Sequence, residues 1–338
     1  QSANDIAASS RVLRRILNFY QHMTNIPDGI IGWLVPAIRA ARTATIDWEP
    51  DIVFASAPPF TTLIAGRMIA SRVGAPLVVE YRDRWMEDPY GQSSPKLRRW
   101  LDRRIEEWCV RPARGIVTVS EPWADDYRAR WEKPVTVSYN GYDPDDMIAV
   151  DEEAVSVGGR LTILYTGIIY PERRDPTPLF QALSQMGEDR KKCRVEFYGS
   201  NVDQLESLVD KYGQQDIVSL KPGIPIHEAL ALQQRADVLL LLQWNNALEA
   251  GNVPGKLFEY LAARRPVLGI GYEDGVPARM LRERGAGSVL NRPEEIAAFL
   301  KELLDRKARD GVIQLLPESV KEGLSRPEQY ANAEALFS

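Results

Sequence analysis

A lysine and a glutamate lie three positions apart just after a Pro-Gly pair, at Lys256 and Glu259. Pro254 and Gly255 break the chain, and good helix formers follow, so the sequence predicts a helix over 256–263. The first amides of a helix have no partner within it, and its start therefore attracts anions. Lys256 adds a positive charge there, and Glu259 can accept a pair of hydroxyl groups. The pattern predicts a site for a diphosphate with a ribose beside it; the alternative is an ordinary amphipathic helix with a surface lysine.

Two arginines follow a predicted strand that ends in glycine. The strand over 161–166 is followed by Gly167, which permits close approach to the backbone, and Arg173 and Arg174 precede the next predicted helix. Paired arginines at such a position can clamp phosphate oxygens in bidentate fashion. Together with Lys256 they bring cations to the ends of two strands of one domain. This convergence favours a diphosphate site over the alternative of a solvated loop.

Other predicted strand ends carry groups that could complete a site. Gly199 and Gly223 lie in short loops after strands, where they could line a nucleotide base or simply form strand-to-helix turns. Nearer the N-terminus, Arg82 and Asp83 follow a buried strand. An Arg–Asp pair there could hold an acceptor or stabilise a departing phosphate. A structural ion pair is the alternative for these two residues.

The acidic pair Asp143 and Asp145 has the Asp-x-Asp spacing that can hold a divalent cation on a diphosphate. Asn140 and Gly141 precede it, however, and this context favours a turn. No metal site is predicted, and the two histidines are too few for a His-based triad or cluster. The sequence has no Walker A pattern and no Gly-x-Gly-x-x-Gly at a helix start, which disfavours nucleotide hydrolysis and dinucleotide redox chemistry.

The composition is that of a soluble globular protein, with 338 residues, 44% hydrophobic and 26% charged. This length is sufficient for two domains. A net charge of −5 gives no support for nucleic-acid binding. Cys109 and Cys193 are too few and too far apart for a disulfide framework or a zinc site, which indicates a reducing cytoplasm. We find no signal peptide, and no apolar run approaches the ~18 residues of a membrane span.

Strands and helices alternate along most of the chain, first over 51–139 and again over 161–310, which predicts two doubly wound parallel sheets. In the second series the predicted strands are 161–166, 193–198, 217–220, 238–242, 267–270 and 288–290. The predicted domains are 1–148, 149–315 and a C-terminal segment, 316–338, whose helix crosses back to the first domain. Nothing before residue 51 predicts a strand, so we expect one or two N-terminal strands to be missing from the sequence. A ligand site between the two domains is expected.

The segment from Arg11 to Met23 has apolar residues on one side of a predicted helix and arginines on the other. Such a helix could make peripheral contact with an anionic membrane surface. The alternative, a helix packed on its own domain with solvated arginines, is the favoured interpretation.

These runs resemble glycosyltransferase family 4, retaining enzymes with the GT-B fold of two facing Rossmann-like domains. In the second domain the similar runs are 165–167 (YTG), 174–179, 236–241 and 256–267 (KLFEYLAARRPV). In the first domain they are 56–59, 81–85, 118–121 and 140–143. The resemblance covers most of residues 28–305, and its most specific part is 256–267. Similar sequences often serve the assembly of cell-surface polysaccharide or lipid-linked oligosaccharide in bacteria.

The resemblance implies roles for individual residues. Glu259 matches the glutamate expected on the donor ribose, and Arg174 matches the basic residue expected on the diphosphate. The segment whose amides are expected on the donor phosphates and sugar matches Val253, Pro254, Gly255 and Leu257.

Two departures from the family pattern concern the reacting sugar. The first glutamate of the family's pair, seven residues apart, falls at Gly251, so either Glu249 substitutes for it or its sugar contact is absent. The histidine often found near the reacting sugar corresponds to Arg82. Donor binding is therefore better supported by the sequence than catalytic detail.

The sequence thus predicts a metal-independent, retaining GT-B glycosyltransferase whose donor is a nucleotide-diphosphate sugar, with no cofactor. Arg82, Asp83, Arg174 and Lys256 are the predicted catalytic residues. A glycan or lipid-linked acceptor is the expected partner, with no nucleic acid, in the cytoplasm or at the inner face of the membrane. The alternatives are a GT-B-fold nucleotide-sugar epimerase and a non-catalytic scaffold that retains donor binding.

Overall fold

The computed structural model describes residues 25–85, 95–147, 159–170 and 172–337. Contacts within the chain divide it into two units. The first consists of Gln1–Ser138 with Tyr330–Ser338, and the second of Tyr139–Gln329. The predicted helix from Arg11 to Met23 lies outside the described residues, as does most of the acidic segment 151–159.

The first unit is built on a four-stranded parallel sheet whose strands follow chain order. The strands are β1 (Val53–Ala57), β2 (Leu77–Tyr81), β3 (Gly115–Thr118) and β4 (Val135–Val137). The helices are α1 (Leu34–Ala44), α2 (Thr61–Val73), α3 (Lys96–Val110) and α4 (Glu121–Trp131). Every residue of β2 and β3 is buried, as expected for parallel strands covered on both faces.

The end of the chain also belongs to this unit. Helix α11 (Arg326–Glu334) begins in the second unit and ends in the first. Its Ala333, and Leu336 just beyond it, pack on Val78 of β2 and Val117 of β3 in one buried cluster. C-terminal residues therefore cover part of one face of the first sheet.

The second unit is built on a six-stranded parallel sheet. The strands are β5 (Leu161–Thr166), β6 (Cys193–Tyr198), β7 (Val218–Lys221), β8 (Val238–Leu242), β9 (Val267–Ile270) and β10 (Gly287–Val289). The helices are α5 (Thr177–Gln185), α6 (Glu206–Lys211), α7 (Ile226–Arg235), α8 (Gly255–Ala262), α9 (Val276–Glu283) and α10 (Pro293–Asp310). The predicted α/β class with two parallel sheets is confirmed.

The strand order of the second sheet, β10-β9-β8-β5-β6-β7, is the Rossmann order 3-2-1-4-5-6 read from its other edge. The order reverses between β5 and β8, which pair only through Ile163 with Val238 and Leu164 with Leu239. The carboxyl ends of these two strands are therefore unpaired with each other. Ligands of such sheets bind at this switch point.

A buried ion pair ties α10 to the amino end of β8. Lys307 Nζ lies 2.6 Å from Asp237 Oδ2, and both side chains are almost completely buried. The same carboxylate oxygen accepts a hydrogen bond from the backbone N–H of Thr162, at 2.8 Å. The pair thus joins β5, β8 and α10 away from the switch point.

Candidate functional site

The side chain of Lys256 extends from the start of α8 to the carboxyl end of β5. Its Nζ donates to the carbonyl oxygen of Thr166 at 2.8 Å and lies 4.3 Å from the centroid of the Tyr165 ring. Gly167 makes room for it, because a Cβ on that residue would lie 2.3 Å from Lys256 Nζ. Among the described residues, no side chain caps the start of α8. The ammonium group and the helix start therefore lie together at the switch point.

Burial lowers the pKa of Lys256 from 10.5 to about 7. The nearby guanidinium of Arg174 contributes to this lowering of the pKa, while the carboxylate of Glu259 acts in the opposite direction. Two like charges thus lie close together beside the carboxylate of Glu259. An anion bound here would relieve the repulsion and favour the charged form of the lysine.

Two arginines of the loop after β5 each lie over an aromatic ring. Arg174 lies over Tyr170, 4.7 Å from the ring centroid, and its Nη1 donates to the carbonyl oxygen of Ile168 at 3.0 Å. Arg173 lies over Trp244, 5.3 Å from that centroid. Because Trp244 follows β8, the two loops on either side of the switch point meet through Arg173.

The carboxylate of Glu259 is held by a side chain that the sequence reasoning missed. Gln233 of α7, which is 1% exposed, donates from Nε2 to Glu259 Oε2 at 3.1 Å and to Thr166 Oγ1 at 3.0 Å. Gln233 thus orients Glu259 next to the residue that receives Lys256. An amide on an otherwise apolar helix face with Ala229 and Leu230 is the signal that could have revealed it.

The three glycine loops contact one another at the carboxyl edge of the sheet. A Cβ on Gly199 would lie 1.8 Å from the carbonyl oxygen of Gly167, so only glycine fits there. A Cβ on Gly223 would lie 3.9 Å from the Cα of Gly199, which is ordinary contact. The loops after β5, β6 and β7 therefore form one continuous backbone surface.

The segment at the start of α8 exposes backbone groups to the site, because its larger side chains are buried in the core. Val253 and Leu257 are buried in the core of the unit, whereas Gly255 is exposed. Pro254 accepts a hydrogen bond from the N–H of Leu257 at 3.0 Å. The carboxylate of Glu249 is buried, and its Oε2 accepts a hydrogen bond from Asn252 Nδ2 at 2.8 Å.

In the first unit, Arg82 lies at the carboxyl end of β2. Its Nε is 3.2 Å from Glu80 Oε1, and its Nη2 donates to the hydroxyl of Tyr330 at 2.7 Å. Glu80 is buried and accepts a hydrogen bond from Ser56 Oγ at 2.5 Å. Asp83 is exposed beside them. Glu80 and Tyr330 were missed because neither stands out in the sequence as a binding residue.

The structure thus distributes the predicted site residues over both units. One group, at the switch point of the second sheet, comprises Gly167, Arg173, Arg174, Gly199, Gly223, Lys256 and Glu259, with Val253, Pro254, Gly255 and Leu257 in the adjoining segment. The other group, Arg82 and Asp83, lies at the carboxyl end of β2.

Asp143 of the Asp-x-Asp pattern takes part in a turn. Its Oδ1 accepts from the N–H of Asp145 at 3.0 Å, and its Oδ2 lies 3.1 Å from Arg326 Nη1. Within the described residues, no cluster of three or more His, Cys, Asp or Glu side chains is placed to hold a metal ion. Over the same part of the chain, no helix is long and apolar enough to cross a membrane.

Comparisons with known proteins agree with this architecture. Residues 12–141 match the model of the glycosyl transferase 4-like domain family. No curated protein sequence matches the chain at a significant level.

Solved structures share the fold at low sequence identity. HepE from Anabaena, in complex with UDP and glucose, is 14% identical with a TM-score of 0.63, over 89% of this chain and 80% of HepE. WaaG, a glycosyltransferase involved in lipopolysaccharide biosynthesis, is 15% identical with a TM-score of 0.56, over 82% and 81% of the two chains. A protein from Listeria monocytogenes, provisionally assigned as a UDP-N-acetylglucosamine 2-epimerase, is 14% identical with a TM-score of 0.54, over 90% and 79%. Residues 12–141 thus resemble a glycosyl transferase 4-like domain, and the chain shares the GT-B fold of these solved structures.

Proposed function

We propose that the protein is a retaining, metal-independent glycosyltransferase that moves a sugar from a nucleotide-diphosphate sugar to an acceptor hydroxyl. The observation that carries the proposal is the meeting of Lys256 and Arg174 at the carboxyl end of β5, beside the uncapped start of α8. A cationic site on a Rossmann sheet at its switch point suits a diphosphate. The complex of HepE with UDP and glucose supports the choice of a nucleotide sugar.

Arg174, Lys256 and the first amides of α8 would neutralise the charge that develops on the leaving diphosphate. Preorganised electrostatic stabilisation of this kind usually lowers the activation barrier more than any other single effect in an active site. Glu259, oriented by Gln233, would accept hydrogen bonds from the ribose hydroxyls. Its half-buried position at the same edge of the sheet as Lys256 supports this role.

In the proposed reaction, the bond between the anomeric carbon and the diphosphate oxygen breaks as a bond to the acceptor oxygen forms on the same face of the sugar. The acceptor proton passes to an oxygen of the departing phosphate. Arg82 and Asp83 of the first unit would bind the acceptor. The contacts of Arg82 with Glu80 and Tyr330 would fix its guanidinium for that purpose.

The biological setting that we propose is the assembly of bacterial cell-surface polysaccharide or lipid-linked oligosaccharide at the cytoplasmic face of the membrane. The fold shared with WaaG supports this setting. Peripheral contact through the segment from Arg11 to Met23 is part of the same proposal, and its support is the basic amphipathic pattern of that segment.

The substitution Arg174→Ala tests the donor site. A thermal-shift screen against uridine, guanosine, adenosine and thymidine diphosphates first selects the ligand, because a ligand that binds the folded state raises its Tm. Calorimetry should then show that Arg174→Ala weakens binding by about 2 kcal/mol or more, as expected for a charge-assisted phosphate contact. Arg309→Ala, at an exposed position near the end of α10, is the matched control. Unchanged affinity in the Arg174 variant would contradict the assignment.

A nucleotide-sugar epimerase is the second candidate, because the Listeria protein has the same fold. An epimerase would convert the donor without an acceptor, whereas a transferase releases free nucleoside diphosphate only when donor and acceptor are mixed. A donor-binding scaffold, suggested by Gly251 at the position of the family's first glutamate, would do neither. Chromatography of the nucleotide products with and without acceptor distinguishes the three.

A further inference from the structure

The exposed apolar side chains of the second unit gather at one edge of its sheet. Among its described residues, the large apolar side chains that are exposed are Ile168 (40%), Tyr170 (45%), Ile226 (60%) and Leu248 (50%). Ile168 and Tyr170 follow β5, and Leu248 follows β8. Ile226 is the first residue of α7, the helix after β7. All four therefore lie beyond the carboxyl ends of strands, where the ligands of such sheets bind and where exposed apolar groups indicate an interaction site.

The proposed donor site determines which part of a nucleotide sugar would face each loop. The groups proposed for the diphosphate, Lys256 and Arg174, lie at the end of β5. The loops of Gly199 and Gly223, which could line the base, follow β6 and β7. These strands are ordered β8-β5-β6-β7 in the sheet. Because the base and the sugar are attached at opposite ends of the diphosphate, a base beside β6 and β7 places the sugar at the β8 loop, defined as residues 243–254.

Three polar side chains of the β8 loop are engaged in holding the loop itself. Gln243 Nε2 donates to the carbonyl oxygen of Asn252 at 3.1 Å. Asn246 Oδ1 accepts from the backbone N–H of Leu248 at 3.0 Å. Glu249 is 3% exposed, and its Oε2 accepts from Asn252 Nδ2 at 2.8 Å. Sugar hydroxyls could bind these groups only in competition with the contacts that shape the loop.

The large side chains of the β8 loop that remain accessible are apolar. Leu248 is 50% exposed. The ring of Trp244 is half-buried, and its centroid lies 5.3 Å from Cζ of Arg173. A hydroxyl group placed against such side chains loses hydrogen bonds to water, whereas a methyl group gains by leaving water. The loop therefore suits a sugar that presents a methyl group better than one that presents hydroxyl groups alone.

We propose that Trp244 and Leu248 select a donor whose sugar carries a methyl group, in an acetamido substituent or at a 6-deoxy carbon, over a fully hydroxylated hexose. This inference rests on the proposed function, because the donor site supplies the orientation of the nucleotide. A single methyl or methylene group in an apolar pocket gives a selectivity on the order of 10–200-fold. The preference is therefore large enough to measure by direct binding.

Calorimetry with three donors of the same nucleotide tests the selection. The nucleotide is the one chosen by the thermal-shift screen, and the sugars are glucose, N-acetylglucosamine and 6-deoxyglucose. At least one methyl-bearing donor should bind about tenfold more tightly than the glucose donor, and the better of the two identifies the substituent. Equal or tighter binding of the glucose donor would overturn the proposal.

The free nucleoside diphosphate, titrated in parallel, separates the two ways in which the experiment can fail. If it does not bind, the proposed donor site is itself wrong, and the sugar assignment is lost with it. If it binds but the three donors have equal affinities, only the sugar assignment is wrong.

A substitution in the β8 loop tests the residue. Leu248→Ser should lower the affinity for the preferred donor by on the order of tenfold and leave that for the free nucleoside diphosphate unchanged. Ile226→Ser, at an exposed position after β7, is the matched control and should leave the ratio of affinities among the three donors unchanged. An equal loss for all donors and for the nucleoside diphosphate in Leu248→Ser would overturn the selection and assign Leu248 to the support of the loop.

Saturation-transfer NMR provides a second measurement that does not depend on a loss of affinity. In the complex with the preferred donor, the methyl protons should receive the strongest saturation of all the sugar protons. The effect should be smaller in Leu248→Ser. Methyl protons that receive less saturation than the ring protons would contradict their contact with the apolar loop.

Discussion

Lys256 donates a hydrogen bond from Nζ to the carbonyl oxygen of Thr166, 2.8 Å away. This contact joins the start of α8 to the end of β5 across the switch point of the second sheet. The lysine thereby gains a fixed position but remains beside Arg174, a second cation. Much of the behaviour expected of the site follows from this arrangement.

The affinity for a nucleoside diphosphate should fall as the pH rises above 7. In the ligand-free protein burial lowers the pKa of Lys256 to about 7, so the ammonium form that binds an anion is lost above that pH. The apparent Kd should rise with pH toward a limit of about tenfold per pH unit, the slope for uptake of one proton on binding. Calorimetry from pH 7 to 9 measures it. Lys256→Arg, which stays charged, should give a flatter profile, and an equally steep profile in that variant would assign the titration to another group.

The stability of the ligand-free protein should change with pH in the opposite sense. Because the pKa of Lys256 is lower in the folded state than its ordinary value of 10.5, the unfolded chain binds more protons between these two values. The free energy of unfolding should therefore rise with pH over that window, and Lys256→Met should remove this contribution. Urea denaturation of both proteins at pH 7 and pH 9 provides the comparison.

Gly199→Ala should destabilise the second unit. The φ of Gly199 is +154°, and a Cβ would lie 1.8 Å from the carbonyl oxygen of Gly167, so the loops after β5 and β6 would have to separate. A loss of about 1–3 kcal/mol is the usual scale for such strain, before the clash is added. Gly223→Ala, where the nearest atom is 3.9 Å away, is the matched control and should unfold at nearly the same urea concentration as the unaltered protein.

Gln233→Leu should weaken donor binding with little change in the fold around it. The substitution removes the donor that holds Glu259 Oε2 and Thr166 Oγ1, so the carboxylate loses its orientation toward the ribose. A loss of about 1–2 kcal/mol is expected for such hydrogen bonds. Gln181→Leu on α5, which removes a hydrogen bond to the Tyr212 hydroxyl, should leave the affinity unchanged. An effect of equal size in both variants would indicate general loosening of the unit.

Lys307→Met should destabilise the second unit by about 3–5 kcal/mol, since it leaves the buried carboxylate of Asp237 without its cation. The double substitution Asp237→Asn with Lys307→Met removes both charges and should recover most of that loss. Lys192→Met breaks an exposed pair with Asp189 and should leave the urea midpoint unchanged. The double variant being no more stable than Lys307→Met would show that the lysine acts through packing alone.

The elements of the second unit were predictable because their signals are local. Strands β5, β6, β8 and β9 have the bounds that the sequence predicts, since each is a short run of mostly apolar residues with turn or helix signals at its ends. The helical segment between β6 and β7 is less regular, since it divides into a 3-10 turn at Val202–Leu205 and α6.

Helix α1 was not predicted, and the structure gives the reason. It has no fully buried residue, and its half-buried stripe of Leu34, Ala37, Ile38 and Ala41 is a weak sequence signal because two of the four side chains are alanine. Pro36 near its start weakens the pattern further.

The candidate site was only partly predictable. Gly167, Arg174 and Lys256 could be predicted because each lies in a short motif whose neighbouring residues already indicate phosphate binding. Tyr330 could not be predicted in this way, because the residue that it contacts, Arg82, lies 248 positions away in the sequence. Such a partnership exists only once the tertiary structure has formed, so periodicity and local propensity carry no trace of it.

The placement of Ala333 and Leu336 on Val78 and Val117 has a consequence for biosynthesis. A ribosome translates residues 139–329 before the segment that completes the first sheet, so the second unit can fold while the first still exposes bare apolar surface. The apolar surface around Val78 and Val117 stays exposed until Ala333 and Leu336 have been synthesised, and chaperones can bind it during that time. A stop codon a few residues early would therefore harm the part of the protein that was made first.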